Sequence, residues 1–195
     1  MSTSALLGSR KEQILAAAAD LVARRGYHSV AIADIGNAAG ISGPGVYRHF
    51  NSKAAVLVAL LDRVVDELLG SASRITAASA DEQEILDQLM ADQIQFTLTK
   101  RTLIQVYLQE IHSLPEQDQH RLRRKQRGYI DEWAKLLMIS RPRITNDEAR
   151  SLVHAAVSAI QSVVHYNSHL EQERLRGLML CAAEAVLRAE LPASP

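Results

Sequence analysis

The sequence is short of the residues that build covalent or membrane-bound scaffolds. One cysteine, Cys181, stands among 195 residues, so no disulfide can close within the chain, and a reducing compartment fits. Aromatic residues make up only 4% and β-branched runs are short, so no segment reads as a strand. The longest stretch without a charge, 151–170, is interrupted by serines, His154, Gln161, His165, Asn167 and His169 and is too polar to cross a membrane. Net charge is zero, which excludes a uniformly basic protein that holds nucleic acid by charge alone. The start of the sequence lacks the basic-then-apolar profile of a secretory signal. A cytoplasmic protein is expected. Neither a repeat nor a low-complexity tract is present.

Apolar residues at 47% and charged residues at 23% are ordinary for a globular protein. Apolar positions recur at intervals of three and four almost throughout, which predicts an all-α fold. A first helix is expected over 10–25, ended by Gly26, then two short ones over 32–39 and 43–49 separated by Gly40-Ile41. Ser42 caps the second of these, with Pro44 in its first turn, where a missing N–H costs nothing. Asn51-Ser52 caps a helix over 53–69. The small, polar segment after Gly70 reads as a domain junction. Further helices are expected over 82–99, 102–112, 116–140, 146–166 and 171–189. Thr145 with Glu148 forms the capping box of the fourth of these. The expected organisation is a helix-turn-helix domain over 1–53, joined by a helix over 53–70 to a larger helical domain over 71–195.

The stretch I-S-G-P-G-V-Y-R-H-F-N-S-K, 41–53, sits in a locally basic end of the chain. Residues 1–53 hold six Lys and Arg against three Asp and Glu. Two short helices around a glycine-containing turn make a helix-turn-helix, whose second helix can present its N-terminal residues to the DNA major groove. Gly43 and Gly45 allow close approach to phosphates, and the helix N–H groups attract anions. Tyr47 and Lys53 can reach backbone phosphates, while Arg48 and His49 can meet base edges or phosphates. Phe50 is expected in the core beneath. No catalytic constellation accompanies it: there is no G-x-S-x-G elbow, and Gly43-Pro44-Gly45 has Arg48 where a dinucleotide fingerprint needs a third glycine. His165 and His169 lack a third ligand at a telling distance, so no metal site and no cofactor is expected.

On I-L-A-A-A-A-D-L-V-A-R-R-G-Y at 14–27, D-I-G-N-A-A-G-I-S at 34–42 and G-V-Y-R-H-F-N-S-K-A-A-V-L at 45–57, residues 10–60 resemble the DNA-binding domain of the TetR family of transcriptional regulators. Two positions depart from the family pattern. Ala31 replaces a capping Thr or Ser, so another group must cap that helix, with Ser29 the nearest hydroxyl. Gly36 replaces an alanine, at a cost of up to about 1 kcal/mol in helix propensity.

The resemblance implies that the remainder binds a small-molecule effector and forms a homodimer through its last two helices. Their apolar faces offer Leu152, Ala156, Ile160 and Val164 on one helix and Leu178 and Ala182 on the next as interface. Polar residues on otherwise apolar stripes, Thr99, Tyr107, Glu110, Gln126, Tyr129, Trp133 and Gln161, suggest an effector pocket. The run R-L-R-R-K-Q-R at 121–127 adds Arg124 and its neighbours, which suit phosphates. With Tyr129 and Trp133 it is similar to TetR-family regulators of actinobacterial lipid or steroid catabolism that respond to acyl-coenzyme A thioesters. The expected function is a repressor released from a palindromic, double-stranded operator by such an effector. A repressor of efflux or detoxification genes that responds to drugs, and a helical adaptor that binds only protein, are the alternatives.

Overall fold

The computed structural model describes residues 9–166 and 168–190, and every described regular element is helical. The elements are α1 (Arg10–Arg25), α2 (Ile32–Ala38), α3 (Gly43–Tyr47), α4 (Lys53–Ala78), α5 (Glu82–Thr99), α6 (Arg101–Glu110), α7 (Glu116–Ser140), α8 (Asn146–Gln161) and α9 (Gln172–Leu187). Short 3-10 turns extend α6 over Ile111–Ser113 and α8 over Ser162–Val164. Asn167, expected near the end of α8, lies outside the described residues. Among the described residues no helix is long and apolar enough to cross a membrane.

Helix starts follow their caps. Ser9 and Glu12 form a capping box on α1, and Thr145 and Glu148 form one on α8. The backbone and hydroxyl of Thr145 hold the Glu148 carboxyl below its usual range. Asp81 accepts the first N–H groups of α5. The segment 71–80, expected as a junction, is instead helix as far as Ala78. Small polar residues do not stop a helix when its inner face is buried, and here Ala72 is buried while Ile75 packs on the apolar core.

The chain divides into two compact units, Met1–Val65 with Thr102–Leu122, and Asp66–Arg101 with Arg123–Pro195. In the first, the inner stripe of α1 (Ile14, Leu15, Ala18, Val22) is buried, together with Ile35 of α2, Val46 of α3 and Val56, Leu57, Leu60 and Leu61 of α4. Each Val, Leu or Ile among them contributes about 1.5–3 kcal/mol on leaving water. Phe50 is buried among them, as its apolar ring requires.

The second unit has a continuous core drawn from α5, α7, α8 and α9, including Leu89, Ile94, Trp133, Leu137, Val153 and Ala183. Leu152, Ala156 and Ile160 belong to this core, and Val164 is buried as well. These four positions therefore cannot form the outward face expected of them. The apolar stripe of α8 turns into its own protomer, because α5 and α9 pack against it. Leu178 remains 40% exposed, Ala182 is half-buried, and the outward side of α8 carries His154, Ala155 and Ser158.

Candidate nucleic-acid interface

The turn between α2 and α3 is built from backbone. Gly40, at φ +69°, donates its N–H to Asn37 O at 3.1 Å, and Ile41 N–H reaches Gly36 O at 2.9 Å. This is the paired closure of a Schellman motif, whose left-handed position favours glycine. At the start of α2, Ala31 offers no side-chain cap. Asp34 Oδ2 takes the Ala31 N–H at 2.9 Å instead. The capping group is thus Asp34 rather than Ser29, and the first turn of α2 is closed from inside the helix.

Gly36 has a steric reason. A Cβ there would stand 3.0 Å from Gly43 N, Ile41 O and Ser42 C, so the lost helix propensity is exchanged for close approach of α2 to the turn. Ser42 Oγ accepts the Gly45 N–H at 3.2 Å, with Pro44 in the first turn of α3. The helix ends at Tyr47, two residues before the expected His49. Beyond it, Arg48 and His49 donate to the carbonyls three residues back, which tightens the last turn to 3-10 form.

Tyr47 is 55% exposed, Ser42, Pro44 and Arg48 are exposed, and Gly43, Gly45 and His49 are half-buried. No acidic residue occurs between Asp34 and Asp62, so this face carries donors without competing carboxylates. Lys53 is already engaged. Its Nζ donates to Tyr27 O and Val30 O, both at 2.9 Å, and lies 4.2 Å from the centre of the Tyr27 ring. An ammonium has three protons, so one donor remains beyond the two carbonyls.

The loop that Lys53 holds is fixed from the other side by Glu110. This buried carboxylate accepts the Tyr27 N–H at 2.8 Å and the Ser113 hydroxyl at 2.8 Å. Burial, with the Glu110 charge adding to it, pushes the Tyr27 phenol above its usual pKa. Sequence reasoning missed this anchor. Tyr27 and Glu110 lie 83 residues apart, and nothing in local spacing pairs them.

The expected effector residues are divided between the units. Tyr107 and Glu110 are buried in the first, whereas Thr99, Arg124, Gln126, Tyr129, Trp133 and Gln161 belong to the second. Thr99 is exposed and donates back to Gln95 O. Gln126 and Gln161 are half-buried, and Arg124 is exposed. Tyr129 and Trp133 are buried with their rings edge to face at 5.8 Å. Tyr129 Oη donates to Gln93 Oε1 at 2.9 Å. Gln93 and Thr97 are buried as well, an i, i+4 polar pair on the inner face of α5.

Much of the basic run on α7 is neutralised. Arg121 makes a two-pronged pair with Asp62 at 2.6 and 2.7 Å and also meets Asp118. The hydrogen bonds to Asp62 raise the guanidinium pKa further above its already high value. Lys125 Nζ pairs with Asp66 at 2.6 Å. Arg124 and Arg127 remain exposed.

A three-helix domain that turns Tyr47 and Arg48 outward from a short, serine-capped second helix is a helix-turn-helix module of the DNA-binding class. Residues 14–60 match the family model of the bacterial regulatory proteins, tetR family. The likeness to that family is thus shown for this domain. It is similar to the HTH-type transcriptional repressor KstR2 of Rhodococcus jostii (strain RHA1), 30% identical over 105 residues that cover 54% of this chain and 52% of that protein. The chain therefore spans about half the length of this curated relative. A TetR-family transcriptional regulator from Bordetella parapertussis 12822 has the same fold, with a TM-score of 0.82 at 24% identity over 96% of this chain and all of that one. The fold of AibR in complex with isovaleryl coenzyme A and operator DNA matches with a TM-score of 0.76 at 19% identity, over 88% of this chain and 96% of that one.

Proposed function

We propose that the chain is a homodimeric transcriptional repressor that leaves a twofold-symmetric operator when an acyl-coenzyme A thioester enters its larger unit. The observation that carries the DNA half of this reading is the acid-free stretch 35–61 around α3, with Tyr47 and Arg48 exposed at the end of that helix. Arg48 and His49 read base edges, and Tyr47 and the remaining Lys53 donor hold phosphates. Ser42 and Pro44 start the helix, and Gly43 and Gly45 let it approach the backbone. Two such helices on a dimer engage successive major-groove faces. Effector binding releases DNA because the ligand favours a state with lower DNA affinity. That KstR2 is named a repressor, and that AibR is described with an acyl-coenzyme A and operator DNA, supports the same assignment here.

The dimer forms through the outward sides of α8 and α9, where His154, Ala155 and Ser158 lie on one helix and Leu178 and Ala182 on the other. Arg124 and Arg127 meet the coenzyme A phosphates, since Arg121 and Lys125 are held by carboxylates. Trp133 and its apolar neighbours receive the acyl part. A cationic drug finds little to bind, because Glu110 already serves Tyr27 and Ser113.

Arg48→Ala is expected to weaken operator binding by about 10- to 100-fold, the value of a good base contact. The melting temperature should not change, because the side chain is exposed. Fluorescence anisotropy on a duplex selected from a random pool measures the first and circular dichroism the second. Undiminished affinity would remove α3 from the interface, and a protein-only adaptor would bind neither selected nor random duplex.

A further inference from the structure

The first turn of α1 carries two cations where a helix is better served by acids. Arg10 and Lys11 are its first two residues, and positive charge at that end opposes the helix dipole. Their placement therefore calls for a reason outside helix stability. Both side chains are exposed. The acid of that turn, Glu12, is folded back into the capping box with Ser9.

The contacts of the two cations lead to either end of α3. Arg10 Nη1 donates to Gln13 Oε1 at 2.7 Å and reaches Ala39 O at 3.5 Å. Ala39 closes α2 immediately before the Gly40 turn that enters α3. Lys11 Nζ stands 6.0 Å from the centre of the Phe50 ring, and Phe50 follows three residues after α3 ends at Tyr47. The ring is buried, so it forms a floor beneath the lysine stem while the ammonium stays in water. A guanidinium has five N–H groups and an ammonium three, so both keep donors for a further acceptor.

A helix lying in the major groove has a sugar-phosphate backbone on each side of it, and groups that flank the helix meet those backbones rather than base edges. We infer that Arg10 and Lys11 are phosphate contacts, which extend the DNA interface from α3 onto the first turn of α1. The inference rests on the DNA-binding reading and adds to it two residues of sequence-independent role. They supply affinity and salt dependence, and the choice of sequence stays with Arg48 and His49.

Salt dependence isolates this role, because each phosphate neutralised by a cation releases counterions. Lys11→Ala is expected to lower the slope of log affinity against log salt by about 1, and the double variant with Arg10→Ala by about 2. At 0.1 M salt each substitution should weaken binding about tenfold, equally on a selected and on a random duplex. Lys11→Arg and Arg10→Lys keep the charge and should keep the slope. Arg143→Ala removes an equal, exposed charge from the loop after α7 and should leave the slope as it is. Melting curves accompany each variant, and if Arg10→Ala does not fold, Lys11→Ala decides alone. An unchanged slope in Lys11→Ala, or a slope lowered as much by Arg143→Ala, overturns the inference. A wild-type protein that binds no duplex would overturn the DNA-binding reading and this inference with it. Wild-type binding that Arg48→Ala weakens, with slopes unmoved by the α1 substitutions, rejects this inference alone.

Discussion

Glu110→Ala is expected to lower both stability and DNA affinity, although the residue is far in sequence from α3. Removing the carboxylate leaves the Tyr27 N–H and the Ser113 hydroxyl without their acceptor. Each hydrogen bond to a charged group contributes about 1.5–3 kcal/mol, and a buried donor left unmatched costs a similar amount. A loss of about 2–4 kcal/mol is a large part of the stability of a single domain, and corresponds to a fall of about 5–15 °C in melting temperature. The affected loop, Tyr27 to Val30, leads directly into α2, and Lys53 holds it only from the other side. Operator binding should therefore weaken before the protein unfolds. Glu110→Gln keeps an acceptor for Tyr27 and should restore most of the loss. Melting curves and anisotropy on the two variants check this, and an alanine variant as stable as wild type would show that the buried contact contributes nothing.

Ile160→Asp and Leu178→Asp should fail in different ways. Ile160 is 0% exposed and part of the core of the second unit. A carboxylate there has no partner, and the cost of several kcal/mol falls on folding itself. The variant should be largely unfolded. Leu178 is 40% exposed, so aspartate at that position is tolerated within the protomer, but the proposed dimer through α8 and α9 would bury it. Circular dichroism should report a native helix content, and light scattering at micromolar concentration a monomer. A folded, monomeric Ile160→Asp would move α8's apolar stripe to the surface, and a dimeric Leu178→Asp would place the contact elsewhere.

Periodicity identifies the apolar stripe of α8 but not what covers it. Leu152, Ala156 and Ile160 suit a subunit interface and a private core equally well, and only the packing of α5 and α9 decides. The caps were more informative, because a capping box acts within four residues. Thr145 and Glu148 fixed the start of α8, and Ser42 the start of α3. The segment after Gly70 misled because its composition is that of a linker, whereas its buried Ala72 and packed Ile75 are tertiary facts. An exposed α3, with Pro44 and Tyr47 on it and Ser42 and Arg48 beside it, is legible in the spacing, whereas Gly43, Gly45 and His49 are half-buried. The support of α3 is not legible there, since the Glu110 anchor and the second role of Lys53 depend on contacts across 83 and 23–26 residues.

The central claim, a dimer that reads a symmetric DNA site through α3, is tested most directly by selecting duplexes from a random pool with the purified protein and measuring the affinity and stoichiometry of the winners. The account predicts an inverted repeat bound by two chains per site, at least about 10³-fold tighter than random duplex at the same salt. Selected sequences without symmetry, or bound no more tightly than random DNA, would contradict it.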